Sequence, residues 1–407
     1  MGEDLPMRTD CGRLHVVVVC CGLGFPVGMA VTNRIKMLGL ALLDAGAQFS
    51  VFHIGGSPFE NAMPDGVWRG IAYRYFPRAT RRETRRWIRM RRNATGLFSV
   101  IAEIRRLRSR GDRVVIYSEM YGAENIFLAA AAPVVAAISE WYPGRTDRTW
   151  WLRFIAAAGA VPISRAIEER VRVRMQFWRH SFPQLRVPIL MDIHADSAPV
   201  AGPVFNSPYL LWTGDPFGEV RAHLEFLIDV LSLVRRKHPE CSLVLMGNFN
   251  ADLKSELELR AERVTGRRAA VTVHGFVPKE QLAAPINGAA ALLAPLPSGI
   301  RWECCFPTKL GEYLTSGRPV VSSQVGEVAK YLTDGDTAML ALPGDIAGWS
   351  ERIIQLLDDP ELACRIGSAG RALAAREFDY RVHSRRLLNF IDELAGRAGG
   401  RTESDTR

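Results

Sequence analysis

The 407-residue sequence has no CxxC pair and none of the cysteine and histidine spacings of zinc sites. Its seven cysteines, at 11, 20, 21, 241, 304, 305 and 364, fall as two adjacent pairs and three singles. That is not a disulfide framework, so a stapled secreted scaffold is excluded and a reducing compartment is expected. A long unbroken apolar run is also missing. The one candidate, Leu14 to Val31, is interrupted by Gly22, Gly24, Pro26 and Gly28 and reads as a strand followed by a loop. The opening MGEDLPMRTDCGR is polar and partly acidic and lacks the pattern of a signal peptide. The expected location is cytoplasmic, with any membrane contact peripheral, on the inner face of the plasma membrane. Hydrophobic residues make up 48% and charged residues 23%, a globular composition that excludes a disordered or fibrous chain. The length suits two domains.

The charge is uneven. The formal net charge is +9, yet between Arg78 and Arg113 thirteen arginines face only Glu83, Glu103 and Asp112. This stretch therefore carries the whole basic surplus. Such a patch attracts phosphates, of lipid headgroups or of nucleic acid. Arg81, Arg82, Arg85, Arg86 and Arg89 form its densest part, and Trp87 beside them suits a membrane interface. No recognised nucleic-acid motif accompanies the charge, so nucleic acid is not an expected partner. The remaining alternative is a solvated basic face.

Along the chain the pattern is strand, glycine loop, helix, repeated. His15–Cys20 reads as a strand covered on both faces, Gly22–Gly28 as a loop, Thr32–Ala45 as a helix closed by Gly46, and Phe49–Ile54 as the next strand. The arginine stretch follows and reads as two helices, around 80–93 and 97–109. Further strands are expected at Arg113–Tyr117, Pro133–Ile138 and Val161–Ser164, with a helix from Arg165. The segment from Ser197 to Pro208 has three prolines and small residues and reads as a linker. The pattern then restarts, with strands at Tyr209–Trp212, Ser242–Met246, Val271–His274, Ala290–Ala294 and Pro319–Ser322. Gly214, Gly247 and Gly275 lie at or just past the carboxyl ends of three of them, where ligands of open parallel sheets sit. The expected class is α/β. An N-terminal domain covers 1–200 and a C-terminal domain 201–378. A helix over 379–398 packs back on the first domain, and 399–407 is a disordered tail.

The segment richest in chemistry is Phe306-Pro-Thr-Lys-Leu-Gly-Glu-Tyr-Leu-Thr-Ser-Gly-Arg-Pro-Val-Val321. Pro307 suits a helix start and Gly317 closes the helix. A helix N-terminus at the sheet edge offers unpaired amides and a positive dipole end, which suits a diphosphate. Lys309 adds a cation, and Glu312 can accept from a sugar diol. On spacing alone, a plain surface helix remains open.

Those residues, together with Gly275-Phe-Val277, a helix centred on Leu282 and an alanine-rich strand, resemble the donor-binding half of family 4 glycosyltransferases. The likeness extends to Leu211-Trp-Thr-Gly214, Leu245-Met-Gly247 and Arg376-Glu-Phe-Asp-Tyr380. In the N-terminal half it is thinner: Gly24-Phe-Pro-Val-Gly28 before a helix and Glu140-Trp-Tyr-Pro143 after a strand. The resemblance implies the GT-B fold, two doubly wound Rossmann-like domains facing across a cleft. It also implies retaining transfer from a nucleoside diphosphate sugar. By the same resemblance Gly28 approaches the donor phosphate or the acceptor. The backbone around Phe276 and Val277 holds the base, and Glu312 holds the ribose. The amides of Thr308, Lys309 and Leu310 hold the diphosphate, and Cys304, Cys305, Phe306 and Pro307 face the transferred sugar.

The sequence departs from that family in places. A glutamate eight positions before Glu312 is common there, and Cys304 stands here, with Glu303 one position off. An arginine often follows the glycine of the first C-domain strand, and Asp215 follows Gly214 here. Neutralisation of the diphosphate then falls on Lys309, with Arg221 or Arg301 as helpers. Glu140 is the candidate acceptor-binding or proton-accepting carboxylate, with Glu119 as a lesser one. The plain alternative pairs Glu140 with Arg145 or Arg148. Asp334-Gly-Asp336 spells a metal–nucleotide signature but reads as a turn. His194 with Asp196 is a poor metal site. No obligatory metal or other cofactor is expected.

The expected function is transfer of a sugar from a nucleotide-sugar donor to a hydroxyl of a lipid-linked or polysaccharide acceptor, at an anionic membrane surface. Catalytic roles fall to Glu140, Lys309 and Glu312. The alternatives are a sugar-nucleotide-binding partner subunit without catalysis and a GT-B sugar-nucleotide epimerase.

Overall fold

The computed structural model describes residues 12–59, 61–120, 122–140, 154–177, 183–194, 202, 204–206, 208–216, 218, 220–278 and 281–400. Most of the expected linker, the residues after Glu140 up to 153, Asp196 and the last seven residues lie outside the described set. The chain divides into two compact units, Met1–Leu190 with Tyr380–Arg407, and Met191–Asp379.

The first unit runs β1 (Leu14–Cys21), α1 (Ala30–Asp44), β2 (Gln48–Ile54), β3 (Asp65–Trp68), β4 (Ile71–Phe76), α2 (Arg86–Ser109), β5 (Arg113–Ser118), α3 (Glu124–Ala129), β6 (Val134–Ile138), β7 (Ala157–Pro162) and α4 (Arg165–Phe177). The sheet order is β3-β4-β2-β1-β5-β6-β7. All neighbours are parallel except the edge pair β3–β4. Val16 to Val19 are all fully buried, because β1 is central and covered on both faces. Burying each such side chain contributes about 1.5–3 kcal/mol. Val16 and Val18 join α1 residues such as Leu38 in one core cluster, while Val17 and Val19 join Val100 and Ile104 of α2 in another.

Three findings differ from the sequence reading. The arginine stretch forms one helix of 24 residues, α2, rather than two. Gly96, which falls between the two expected helices, is a contact point: a Cβ there would lie 2.3 Å from the Phe76 carbonyl oxygen. Residues before Arg86 are extended, with Arg81 bridged to Ser57. The hairpin β3–β4 was not expected. Its strand β4 adds to β2 because Ile71 and Tyr75 alternate inward.

The second unit runs β8 (Tyr209–Thr213), α5 (Val220–Val234), β9 (Ser242–Met246), α6 (Ala251–Thr265), β10 (Val271–His274), α7 (Ala283–Gly288), β11 (Ala291–Ala294), α8 (Ile300–Glu303), α9 (Thr308–Thr315), β12 (Val320–Ser323), α10 (Val328–Tyr331), β13 (Met339–Ala341), α11 (Ile346–Asp358) and α12 (Pro360–Glu377). Its all-parallel order β10-β9-β8-β11-β12-β13 reverses direction between β8 and β11, the switch point at which such sheets bind ligands. The edge strand β13 was also unforeseen. Helix starts follow local chemistry: Asn250 accepts from the Leu253 amide at 2.8 Å, and Asp359, just before Pro360, accepts from the Leu362 amide at 2.9 Å. The final helix, α13 (Tyr380–Gly400), belongs to the first unit, where Leu387 and Ile391 share a core cluster with Leu38 of α1.

Candidate active site

In the second unit the carboxyl ends of β8, β9 and β10 form a ledge of bare backbone. The Gly214 amide donates to the Met246 carbonyl at 2.8 Å, and the Gly247 amide to the His274 carbonyl at 3.3 Å. A Cβ on Gly247 would sit 1.8 Å from the Gly214 carbonyl oxygen. Gly214 itself holds φ at +148°, and a Cβ there would lie 2.4 Å from Lys309 Nζ. Both positions therefore require glycine. Gly275 faces open space, Phe276 is 72% exposed, and Val277 is buried.

Helix α9 starts beside this ledge with its N-terminus uncapped by any side chain. The Leu310 and Gly311 amides both donate to the Pro307 carbonyl, at 3.0 and 3.3 Å. Helix geometry then leaves the amides of Thr308 and Lys309 for a ligand. Leu310, expected to contribute its amide, already uses it within the chain. The helix is anchored by its inner face. Tyr313 is buried, and its hydroxyl accepts from the Thr213 amide at 2.8 Å and lies 3.1 Å from Thr213 Oγ1. Burial pushes the Tyr313 phenol well above its ordinary range. One helix turn is thus locked to the end of β8.

Lys309 is the centre of the arrangement. The residue as a whole is half-buried, but its ammonium is enclosed: Nζ lies 4.0 Å from the centroid of the Trp212 ring and against Gly214. Burial lowers its pKa from 10.5 to about 7, while the carboxylates of Glu312 and Asp215 pull the other way. Glu312 follows one turn later, half-buried. A cation held in a low-dielectric niche, two amides at a helix start and a carboxylate one turn along together suit a diphosphate joined to a diol-bearing sugar.

Other expected residues are placed differently. Cys304 and Phe306 are only 1% and 3% exposed. Phe306 packs on Phe378 and Tyr331, with ring centroids 4.8 and 5.5 Å away. Within 304–307 the Cys304 and Phe306 side chains are buried, whereas Cys305 and Pro307 are half-buried. Glu303 is exposed, and its backbone packs on Gly326, where a Cβ would meet Glu303 Cα at 2.4 Å. Arg221 is not a spare cation: it pairs with Glu225 at 3.2 Å and with Glu256. Arg301 lies over the Trp302 ring, 5.2 Å from its centroid. Asp334 accepts from the Leu340 amide at 2.8 Å and pairs with Arg352, as a turn residue does. His194 Nε2 lies 3.6 Å from Asp379. Among the described residues no three His, Cys, Asp or Glu side chains are grouped to hold a metal.

The first unit has its own glycine loop between β1 and α1. His53 Nε2 accepts from the Gly24 amide at 3.2 Å while Nδ1 donates to the Gly55 carbonyl at 3.0 Å. Burial lowers the His53 pKa to about 4, so the ring is neutral in this role. The Tyr75 hydroxyl accepts from the Phe25 amide and donates to the Phe25 carbonyl, both at 2.9 Å, and burial pushes its pKa up to about 12. Asn61 clasps Val27 in the same way, accepting from its amide at 2.8 Å and donating to its carbonyl at 3.1 Å. Gly28 is held so closely that a Cβ would lie 2.0 Å from Thr32 Oγ1. Glu140 is half-buried just past β6, and Arg145 and Arg148 lie outside the described residues. Glu119 is buried at the end of β5. Arg81, Arg82, Arg85 and Arg86 are exposed, and Arg89 donates to the Glu83 carbonyl at 3.0 Å.

The sequence reading missed Trp212, Tyr313, His53, Asn61 and Tyr75. Each acts on a residue far along the chain (Tyr313 on Thr213, Tyr75 on Phe25), so no local motif marks it.

Residues 207–359 match a family model described as "Glycosyl transferases group 1". Over 195 residues the chain is 28% identical to an alpha-D-kanosaminyltransferase of Streptomyces kanamyceticus, covering 46% of each protein. Over 211 residues it is 27% identical to a phosphatidyl-myo-inositol mannosyltransferase of Mycobacterium tuberculosis, covering 51% of this chain and 52% of that one. The chain thus spans about half the length of the curated relatives it matches. A sucrose-phosphate synthase from Thermosynechococcus elongatus superposes with a TM-score of 0.70 at 15% identity, over 95% of this chain and 100% of that one. The fold is GT-B, with two Rossmann-like domains.

Proposed function

We propose that the protein is a glycosyltransferase that moves a sugar from a nucleoside diphosphate donor to a hydroxyl of a lipid-linked or polysaccharide acceptor, with retention. The observation that carries the reading is the enclosed Lys309 ammonium beside the uncapped start of α9. Charge builds on the leaving diphosphate as the glycosidic bond breaks. A fixed cation and two amides already aimed at it stabilise that charge without reorganisation. Glu312 binds the ribose and holds the nucleotide in register. The match to the group 1 glycosyl transferase family model covers residues 207–359, which include Lys309 and α9, and supports the same assignment. Cys305 and Pro307 border the transferred sugar, Glu140 serves the acceptor, and no metal is required. The acceptor is offered at an anionic membrane surface, which the arginine-rich α2 suits; a relative that bears the name of a phosphatidyl-inositol mannosyltransferase is consistent with a lipid acceptor.

The test uses a radiolabelled nucleotide sugar, the full-length protein and two acceptor pools, extracted membrane lipids and soluble polysaccharide. Label passing into one pool, with the donor's anomeric configuration kept, is expected. Exchange of the sugar C2 proton without transfer would instead identify an epimerase, and tight donor binding with no turnover in either pool a binding subunit.

A further inference from the structure

The glycine loop of the first unit, residues 22–28, joins β1 to α1. The strand order of that sheet reverses direction between β1 and β5, so the loop stands at the unit's own switch point, where such sheets bind ligands. No helix or strand fixes its course between Cys21 and Ala30. Side chains from other elements do so instead. The Gly24 amide donates to His53 Nε2, the Phe25 amide to the Tyr75 hydroxyl and the Val27 amide to Asn61 Oδ1. Pro26, between them, has no amide hydrogen to give. The Gly24 carbonyl is held as well, accepting from Thr32 Oγ1 at 2.9 Å.

His53 and Tyr75 are register partners on the neighbouring strands β2 and β4, and their rings stack with centroids 4.5 Å apart. They therefore grip the consecutive residues Gly24 and Phe25 as one unit. His53, Tyr75 and Asn61 are 1%, 0% and 6% exposed. Burying a polar side chain is unfavourable unless its hydrogen bonds are made, and a core position is filled more safely by an apolar one. Here three buried polar side chains, from three parts of the chain, all direct bonds to the backbone of one loop. The His53 ring must be neutral to do this, because Nδ1 donates to the Gly55 carbonyl and only an unprotonated Nε2 can accept.

The other side of the loop is open. Val27 and Met29 are 55% and 54% exposed. The next amide after Val27 is that of Gly28, which no acceptor takes among the described residues. The nucleotide's groups are assigned in the second unit, to Lys309, Glu312 and the start of α9, and this leaves the acceptor for the loop.

We infer that His53, Tyr75 and Asn61 are positioning residues for sugar transfer: they fix the loop 22–28 so that its outward backbone at Gly28 meets the acceptor, and they act on the reaction only through that loop. This rests on the proposed function and adds to it the groups that set the acceptor side.

The test measures transfer by the full-length protein from a panel of radiolabelled nucleoside diphosphate sugars, UDP-glucose and GDP-mannose among them, into extracted membrane lipids and soluble polysaccharide. Donor-induced thermal shift and hydrogen exchange of the peptide spanning 22–28 are followed beside it. His53→Phe keeps a ring against Tyr75 but has no atom to accept from the Gly24 amide. A misplacement of about 1 Å costs on the order of a hundredfold in rate. Transfer should therefore fall about tenfold to a hundredfold in kcat/KM for the acceptor, with faster exchange in the loop and an unchanged donor-induced shift. His53→Gln can still accept and should recover most of the rate. Asn61→Leu frees Val27 rather than Gly24; it should show the same pattern and stands in if His53→Phe does not fold. A role confined to stability would lower the melting temperature of these variants and leave their rates below it unchanged. The inference is overturned by a folded variant that transfers at the wild-type rate, that loses the donor-induced shift together with transfer, or that loses transfer with loop exchange unchanged. A wild-type protein that transfers from no donor into either pool would instead overturn the proposed function, and this inference with it.

Discussion

Lys309→Met separates a lysine kept for a ligand from one kept for the fold. Methionine fills similar space without charge. In the free protein the lysine titrates near 7 instead of 10.5, because its ammonium is enclosed by Trp212 and the Gly214 backbone. Between those two values the unfolded chain binds more protons than the folded one. Stability therefore rises with pH across that window and is lost as pH falls toward 7. Each unit is worth about 1.4 kcal/mol, and discounting for the half-buried stem leaves a few kcal/mol at most. The variant should melt higher than wild type at pH 7, by roughly 2–4 °C per kcal/mol, and the gap should close toward pH 10. Donor binding should move the opposite way. A charge-assisted contact to a diphosphate is worth about 1.5–3 kcal/mol, so affinity should drop about tenfold to a hundredfold. In wild type only the ammonium form binds well. About half the free protein carries it at pH 7 and about one per cent at pH 9; with the charged form binding about tenfold to a hundredfold better, donor affinity should fall about fivefold to twenty-fivefold over that range. A nucleotide sugar is the right probe, because its diphosphate does not titrate there. Calorimetric titration at several pH values, with melting curves of both proteins, decides the matter. A variant that melts lower than wild type at pH 7 yet binds donor normally would refute the reasoning, and so would a wild-type affinity flat from pH 6.5 to 9.

Three further outcomes follow from the same geometry. Gly214→Ala places a methyl group against Lys309 Nζ at a backbone angle that L residues avoid, and should abolish donor-induced stabilisation in a melting assay. Glu312→Gln removes a carboxylate that supports the Lys309 charge. It should weaken donor binding at pH 7.5 by about tenfold, the value of one charged hydrogen bond, and shift the binding–pH curve to lower pH in the same titration. Tyr75→Phe leaves the buried Phe25 amide and carbonyl without partners. It should cost about 1–3 kcal/mol in chemical denaturation while leaving nucleotide binding in place.

What the sequence disclosed was whatever repeats locally. Buried parallel strands such as Val16–Val19 announce themselves as apolar runs, and the start of α9 at Pro307 follows from a proline before a periodic segment. The glycines at 214 and 247 were visible as strand-end positions, though the reason they must be glycine, contact with Lys309 and with each other's backbone, is a tertiary fact. Gly96, between the two expected helices, lies inside the single helix α2 for a tertiary reason of the same kind. A glycine that breaks a helix and one that admits a neighbouring backbone look identical in one dimension. Cys304 was placed at the sugar by the family resemblance, and its near-complete burial at the end of α8 is a tertiary fact that no local pattern marks. Arg221 looked like a spare cation although Glu225 lies four residues on along α5; its second partner, Glu256, reaches it only through packing of α5 and α6. Edge strands β3 and β13, at four and three residues, are too short to show a period.

The most direct test of the donor site is to incubate the wild-type protein with a panel of nucleoside diphosphate sugars, following thermal shift and release of nucleoside diphosphate together. One donor that both stabilises the protein and is slowly hydrolysed without acceptor is the predicted result. No stabilisation by any nucleotide or nucleotide sugar across the panel would contradict the assignment of the α9 N-terminus and Lys309 to a diphosphate.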